Sequence, residues 1–257
     1  MDRFIQQIVK EAGAAVLKRF GKDGMYYMKS DNAWDVVTKA DLISEKILIS
    51  RIKGAYPEHG IISEERGSMN VGAEYVWVID PIDGTLNFSR GVPMFGIMLA
   101  LIRGGEVILS AIHLPAVNEL FFAKAGKGTY RNGKKVHCSL KTTLDQSYGY
   151  GSAQMSGRPG KLFRRILATT KREKIRMQFG SFGSMSANVC YAACGGRDWI
   201  VPLAGSVWDF APSYLILKES GCAVTDTMGK SWKFGMTEMV AANPRLHKKL
   251  LKLTRGI

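Results

Sequence analysis

Trp77-Val78-Ile79-Asp80-Pro81-Ile82-Asp83-Gly84-Thr85 is the stretch from which the rest of the chain is read. Val76 to Ile79 has the apolar run of a short buried strand. It is expected to stop at two aspartates three residues apart, followed by a glycine, a hydroxyl and a short helical stretch. Asp at an element end is ordinarily a cap. Two at i and i+3 across a proline, directly after a buried strand, are less easily explained that way. They place two carboxylates, a backbone carbonyl and free N–H groups around one point, which is what holding divalent cations and a phosphate requires.

Outward from this run, residues 2–20 predict an amphipathic helix, because Phe4, Ile5, Ile8, Val9, Ala12, Val16 and Phe20 recur every three to four positions before Gly21. Lys29 and the Ser30-Asp31-Asn32 turn cluster follow. A second helix is expected from Thr38-Lys39-Ala40-Asp41 to about Lys53, and Ile61-Ile62 reads as a strand ending at Ser63-Glu64-Glu65. Phe95–Ile102 and Val107–His113 flank Gly104-Gly105 as a hairpin, Glu119–Lys124 continues the sheet, and Asn132-Gly133 marks another tight turn. The second half, from about residue 140, predicts a basic helix near 161–172, an apolar helix near 184–194 and a helix over about 209–219. Strands are expected at Trp199–Val201, Cys222–Thr225 and Val240–Ala242, and Pro244 opens a last helix. With no linker, repeat or low-complexity segment, the chain reads as one α+β domain over 1–257. Its halves, about 1–139 and 140–257, are expected to pack closely.

Composition narrows the class. At 257 residues and 46% hydrophobic, the chain can bury a sizeable core, and no apolar run approaches the ~18 residues of a membrane span. The N-terminal segment carries Lys10, Glu11, Lys18 and Arg19 and lacks the apolar stretch of a signal peptide, so a cytoplasmic protein with no membrane partner is expected. Cys138, Cys190, Cys194 and Cys222 form no Cys-x-x-Cys pair and read as free thiols, although Cys190 and Cys194 at i and i+4 leave a two-ligand metal site open. The four histidines show no ligand spacing.

The net charge is +14. Eight Lys/Arg against one acid lie between Arg158 and Arg176, and the tail after Glu238 adds Arg245, Lys248, Lys249, Lys252 and Arg255 with no acid. Two readings stay open: nucleic-acid contact, or a solvated face that also steers an anionic substrate. No basic motif interleaved with aromatics favours the first.

The acids at element ends are Asp41, Glu64, Asp80, Asp83 and Asp209, the last in Ser206-Val207-Trp208-Asp209-Phe210-Ala211-Pro212. If Glu64, Asp80, Asp83 and Asp209 converge, four negative charges share one pocket, which is untenable without cations. Oxygen ligands without His or Cys select magnesium-like ions.

These motifs together resemble the inositol monophosphatase family of magnesium-dependent, lithium-sensitive phosphatases, over nearly the whole chain. Trp77 to Phe88 matches that family's first signature, and Trp208-Asp209-Phe210-Ala211-Pro212 with Glu219-Ser220-Gly221-Cys222 its second. Asp35 to Asp41, Ser63-Glu64-Glu65 and Gly183-Ser184-Met185-Ser186-Ala187-Asn188 fall where the family has related motifs. The resemblance implies an αβαβα sandwich of the sugar-phosphatase type, a homodimer, two to three Mg2+ per active site, and hydrolysis of a small anionic phosphate by in-line attack of water. It implies Glu64, Asp80 and the Ile82 carbonyl as ligands of one ion, Asp80, Asp83 and Asp209 of a second, and Glu64 for a weaker third. It also implies a Thr85–Asp41 dyad that orients the water, phosphate contacts from Gly84 and Thr85, substrate contacts from Asp83, Ser184, Met185 and Asp209, and a role for Lys29. Asp83→Asn is then expected to abolish activity and leave the fold intact. One departure stands out. Pro202 occupies the place of the acid that contacts inositol hydroxyls, and no acid lies between Asp198 and Asp209. That opens specificity to fructose 1,6-bisphosphate, a nucleotide bisphosphate or histidinol phosphate.

Overall fold

The apolar spacing at the N-terminus does build a helix, and so does nearly every segment read from periodicity. The computed structural model describes residues 1–25, 27–28, 36–152 and 157–254. Lys29, the 30–32 cluster, Asp35 and Arg255 lie outside the described residues. The first half runs α1 (Asp2–Leu17), β1 (Tyr27–Met28), β2 (Val36–Val37), α2 (Lys39–Ala55), β3 (Gly60–Ser63), β4 (Gly67–Met69), β5 (Tyr75–Asp83) and α3 (Thr85–Ser89). It continues through β6 (Gly96–Arg103), β7 (Glu106–Leu114), β8 (Glu119–Lys124), β9 (Gly128–Arg131) and β10 (Lys134–Val136). The second half runs β11 (Tyr148–Ser152), α4 (Gly157–Arg172), β12 (Gln178–Phe179), α5 (Met185–Ala193), β13 (Trp199–Pro202), α6 (Val207–Glu219), β14 (Ala223–Thr225), β15 (Val240–Ala242) and α7 (Pro244–Thr254). Among the described residues, no helix is long and apolar enough to cross a membrane.

Strands β3 to β10 form one eight-stranded sheet in the order β10-β9-β8-β7-β6-β5-β3-β4, antiparallel except where β3 runs parallel to β5. The hairpin turns take the form their sequences demand: Gly104-Gly105 and Asn132-Gly133 all have positive φ, as a two-residue turn between right-twisted strands requires. A five-stranded sheet, β12-β11-β13-β15-β14, follows. Side-chain alternation divides the core into layers. Trp77 and Ile79 of β5 pack with Leu99 and Ala111 against α1 and α2. Val76 and Val78 point the other way, with Met98 and Ile112, against α5 and α6, which also cover Ile200 and Ala241 of the second sheet. The far face of that sheet, Trp199, Val201 and Val240, packs against Leu162 of α4 and Leu246 and Leu250 of α7. The layering is therefore αβαβα.

One reading of the sequence needs correction, and one strand was not read. Strand β5 does not stop at Ile79 but continues to Asp83. Asp80 pairs with Met98 and Asp83 with Gly96, so three steps along β5 match two along β6, a one-residue bulge. Pro81, which lacks an N–H to donate, sits inside that break. Strand β11 was not legible at all, because its Tyr-Gly-Tyr-Gly-Ser has little strand character. Its glycines answer to packing: a Cβ on Gly149 would lie 2.1 Å from the Trp199 ring.

Candidate active site

Parallel pairing of β3 and β5 brings the C-terminal ends of both strands to one place. Ser63 lies opposite Ile79, and the Glu64 N–H donates to the Ile79 carbonyl at 3.3 Å, so Glu64 leaves its strand beside Asp80. The bulge then carries Asp83 back toward the same point, and α6 delivers Asp209 from its first turn, where its Oδ2 accepts the Ser206 N–H at 2.6 Å. One carboxylate oxygen each from Asp80, Asp83 and Asp209 lies within 4.8 Å of the others.

Asp80 is 2% exposed, and its Oδ1 has no hydrogen-bond partner among the described residues. Burial holds its pKa well above the usual carboxylate range, and the charges of Glu64, Asp83 and Asp209 push it further up. A buried carboxylate with an unpartnered oxygen, beside two more acids, is a donor set that a hard divalent cation satisfies. The residues therefore fit magnesium. Cys190 and Cys194 belong to no such group among the described residues and are free thiols, Cys190 fully buried.

Asp41 is wholly buried in the first turn of α2. Its Oδ2 accepts the Thr38 N–H at 2.8 Å and the Thr38 hydroxyl at 2.5 Å, while Oδ1 lies 3.0 Å from Thr85 Oγ1. Burial raises its pKa to about 6, against the opposing hydrogen bonds from Thr38 and Thr85. Thr85 Oγ1 is also 2.8 Å from the Ile82 carbonyl, so its single proton has two acceptors. The neighbouring Pro81 carbonyl is taken up by the Ser44 hydroxyl. Gly84 has φ +84° and N-caps α3, and a Cβ there would stand 3.0 Å from both the Met94 carbonyl and Ser184 Cβ. Only glycine meets both conditions.

Ser184 and Met185 are brought to the site, in a part the sequence did not disclose. The Ser184 hydroxyl (2.5 Å), the Met185 N–H (2.9 Å) and the Ser186 N–H (2.7 Å) all donate to Asp83. Asp83 therefore caps α5 from across the layer boundary. Asp83→Asn is therefore expected to cost stability as well as activity, because an amide cannot accept all three bonds. Trp208 packs on the apolar core. Pro202 ends β13, and its carbonyl accepts the Met239 N–H, so that position presents no side-chain acceptor to a ligand.

Sequence reading missed Glu45. It is fully buried, accepts the Ser63 hydroxyl (2.5 Å) and the N–H groups of Glu65 (3.1 Å) and Arg66 (3.0 Å), and pairs with the Arg66 guanidinium at 3.4 Å. It thereby fixes the turn that holds Glu64. The signal was present: Asp41, Glu45, Leu48 and Ile52 share one helical face, which places an acid in an apolar stripe.

An acid cluster of this kind, at the joined ends of two strands and beside a left-handed glycine turn, suits a protein that handles phosphate with divalent cations. Comparison with known proteins identifies which. The model of the inositol monophosphatase family matches residues 1–257, so the chain belongs to that family and is a phosphoric monoester hydrolase. A fructose-1,6-bisphosphatase/inositol-1-monophosphatase of Thermotoga maritima is 30% identical, with 100% of this chain and 97% of that one covered. Nus factor SuhB of Pasteurella multocida is 32% identical, over 94% and 91% of the two chains. The crystal structure of extragenic suppressor protein suhB from Bartonella henselae superimposes with a TM-score of 0.90 at 26% identity, over 99% of this chain and 98% of that one.

Proposed function

We propose that the chain is a magnesium-dependent phosphomonoesterase acting on a small sugar or polyol phosphate, through direct in-line attack of water. The observation that carries this is the meeting of Asp80, Asp83 and Asp209 within 4.8 Å, together with a buried Asp80 oxygen that has no hydrogen-bond partner among the described residues. Glu64, Asp80 and the Ile82 carbonyl would hold one Mg2+, Asp80, Asp83 and Asp209 a second, and Glu64 a third more weakly. When bound, the ions offset phosphoryl charge and activate the attacking water. Asp41 would accept the water's proton, and Thr85, 3.0 Å from it, stands between it and the site as the relay. The N–H groups of Gly84 and Thr85, at the start of α3, orient phosphate oxygens. The working unit is taken as a cytoplasmic homodimer.

A second substrate reading, a bisphosphate such as fructose 1,6-bisphosphate, is favoured by Pro202. A substrate's ring hydroxyls meet no carboxylate from β13, whereas a second phosphate needs none. Phosphate release with Mg2+ from inositol 1-phosphate, fructose 1,6-bisphosphate, adenosine 3′,5′-bisphosphate and histidinol phosphate separates the two. A higher kcat/KM on a bisphosphate supports the second, and absence of turnover on all four sinks both. Inhibition by Li+ is expected with whichever substrate turns over.

A further inference from the structure

The outermost helical layer carries charge that the acid site does not use. α4 and α7 pack together over one face of the five-stranded sheet and spend their apolar sides on it. Neither helix contains an acid. On α7, Arg245, Lys248, Lys249 and Lys252 are all exposed and fall at i, i+3, i+4 and i+7, which is one stripe. Lys161 and Lys171 are exposed on the solvent side of α4. Two segments far apart in sequence thus become one basic face. At its rim stands Phe179, on the edge strand β12. It is 41% exposed, and its ring lies 5.6 Å from that of Phe163 of α4, on the same side of the sheet as the two helices. The sequence showed no aromatic interleaved with these cations; the fold supplies one.

We propose that this face binds single-stranded RNA, the cations holding phosphates and Phe179 stacking against a base. A lipid surface is disfavoured because the apolar sides of both helices are already buried. A second copy of the chain is disfavoured because two such faces repel. A duplex would engage the cations but keeps its bases stacked inside, leaving the aromatic ring idle. RNA is the nucleic acid whose single strands abound in a cell.

The test is fluorescence anisotropy of the full chain with a labelled oligouridine of ~20 nucleotides at ~50 mM KCl, with oligo-dT and duplex RNA of equal length as parallel arms. Binding to oligouridine is expected to weaken with salt, by about 0.7 in log–log slope per phosphate contacted. Lys248→Glu/Lys249→Glu/Lys252→Glu is expected to weaken it about tenfold or more and to flatten that slope. Phe179→Ala is expected to weaken it about fivefold or more with the slope unchanged. No binding at ~50 mM salt, unchanged affinity in either variant, or equal or tighter binding of oligo-dT or duplex overturns the proposal. The substituted side chains lie outside the acid site, so phosphate-releasing activity is expected to match the parent chain and failure here leaves the phosphatase reading standing. The lysine variant is expected to keep the parent melting temperature, whereas Phe179→Ala loses the ring contacts with Phe163 and Trp199 and is expected to melt somewhat lower.

Discussion

Asp83→Asn set against Asp209→Asn isolates the double duty assigned to Asp83. Each substitution removes one carboxylate from beside Asp80, so relief of repulsion in metal-free protein is common to both. The hydrogen bonds differ. An asparagine at 209 can turn its oxygen to the Ser206 N–H and keep the helix start. An asparagine at 83 cannot. Its best orientation leaves the amide oxygen on Ser184 and Ser186 and sets its NH2 against the Met185 N–H, donor facing donor. That costs one charge-assisted bond, about 1.5–3 kcal/mol, and the carboxylate's interaction with the α5 N-terminus, about 0.5–1 kcal/mol. With the shared term cancelled, Asp83→Asn is expected to be less stable than Asp209→Asn by about 2–4 kcal/mol, or roughly 5–10 °C in melting temperature for a chain of this size. Differential scanning fluorimetry in EDTA reads the difference. Ser184→Ala should shrink it, since part of the clamp is then already gone. Equal melting temperatures, or a more stable Asp83→Asn, would refute the role of Asp83 as the cap of α5.

Gly84→Ala is expected to cost about 1–3 kcal/mol and most of the activity, because φ is +84° and the new methyl meets the Met94 carbonyl and Ser184; urea unfolding and turnover check both. Glu45→Gln should raise the Mg2+ concentration for half-maximal binding severalfold while affecting a Ser184→Ala background no differently, as calorimetric titration would show, because it loosens the Glu64 turn and touches no ligand. The pH dependence of metal-free protein follows from Asp41. Its folded pKa of about 6 lies above the ordinary aspartate value of 3.8, so its contribution is full below about 4 and is lost as pH rises through about 6. The loss is about 3 kcal/mol, and Asp80 extends the trend to higher pH. Melting temperature in EDTA should therefore fall over that window, and Mg2+ should restore more stability at pH 8 than at pH 5.

Much of this is legible in the sequence. Amphipathic spacing gave α1, the Thr38 cap started α2, and paired positive-φ residues fixed two hairpin turns, because each is decided within a few residues of chain. The acids of the site were legible as acids at element ends. Their meeting point was not, since Glu64, Asp80 and Asp209 come together only through the parallel β3–β5 pairing and the placement of α6. The bond from Asp83 to Ser184 spans 101 residues and leaves no local mark. Strand β11 was hidden because its glycines serve the Trp199 ring and not the strand itself.

The most direct test of the central claim is phosphate release from inositol 1-phosphate and fructose 1,6-bisphosphate as a function of Mg2+, by the parent chain and by Asp80→Asn. Turnover that rises from zero with Mg2+, stops on chelation and is lost in Asp80→Asn is the expected result. Turnover that persists in EDTA, or an Asp80→Asn variant as active as the parent, would contradict it.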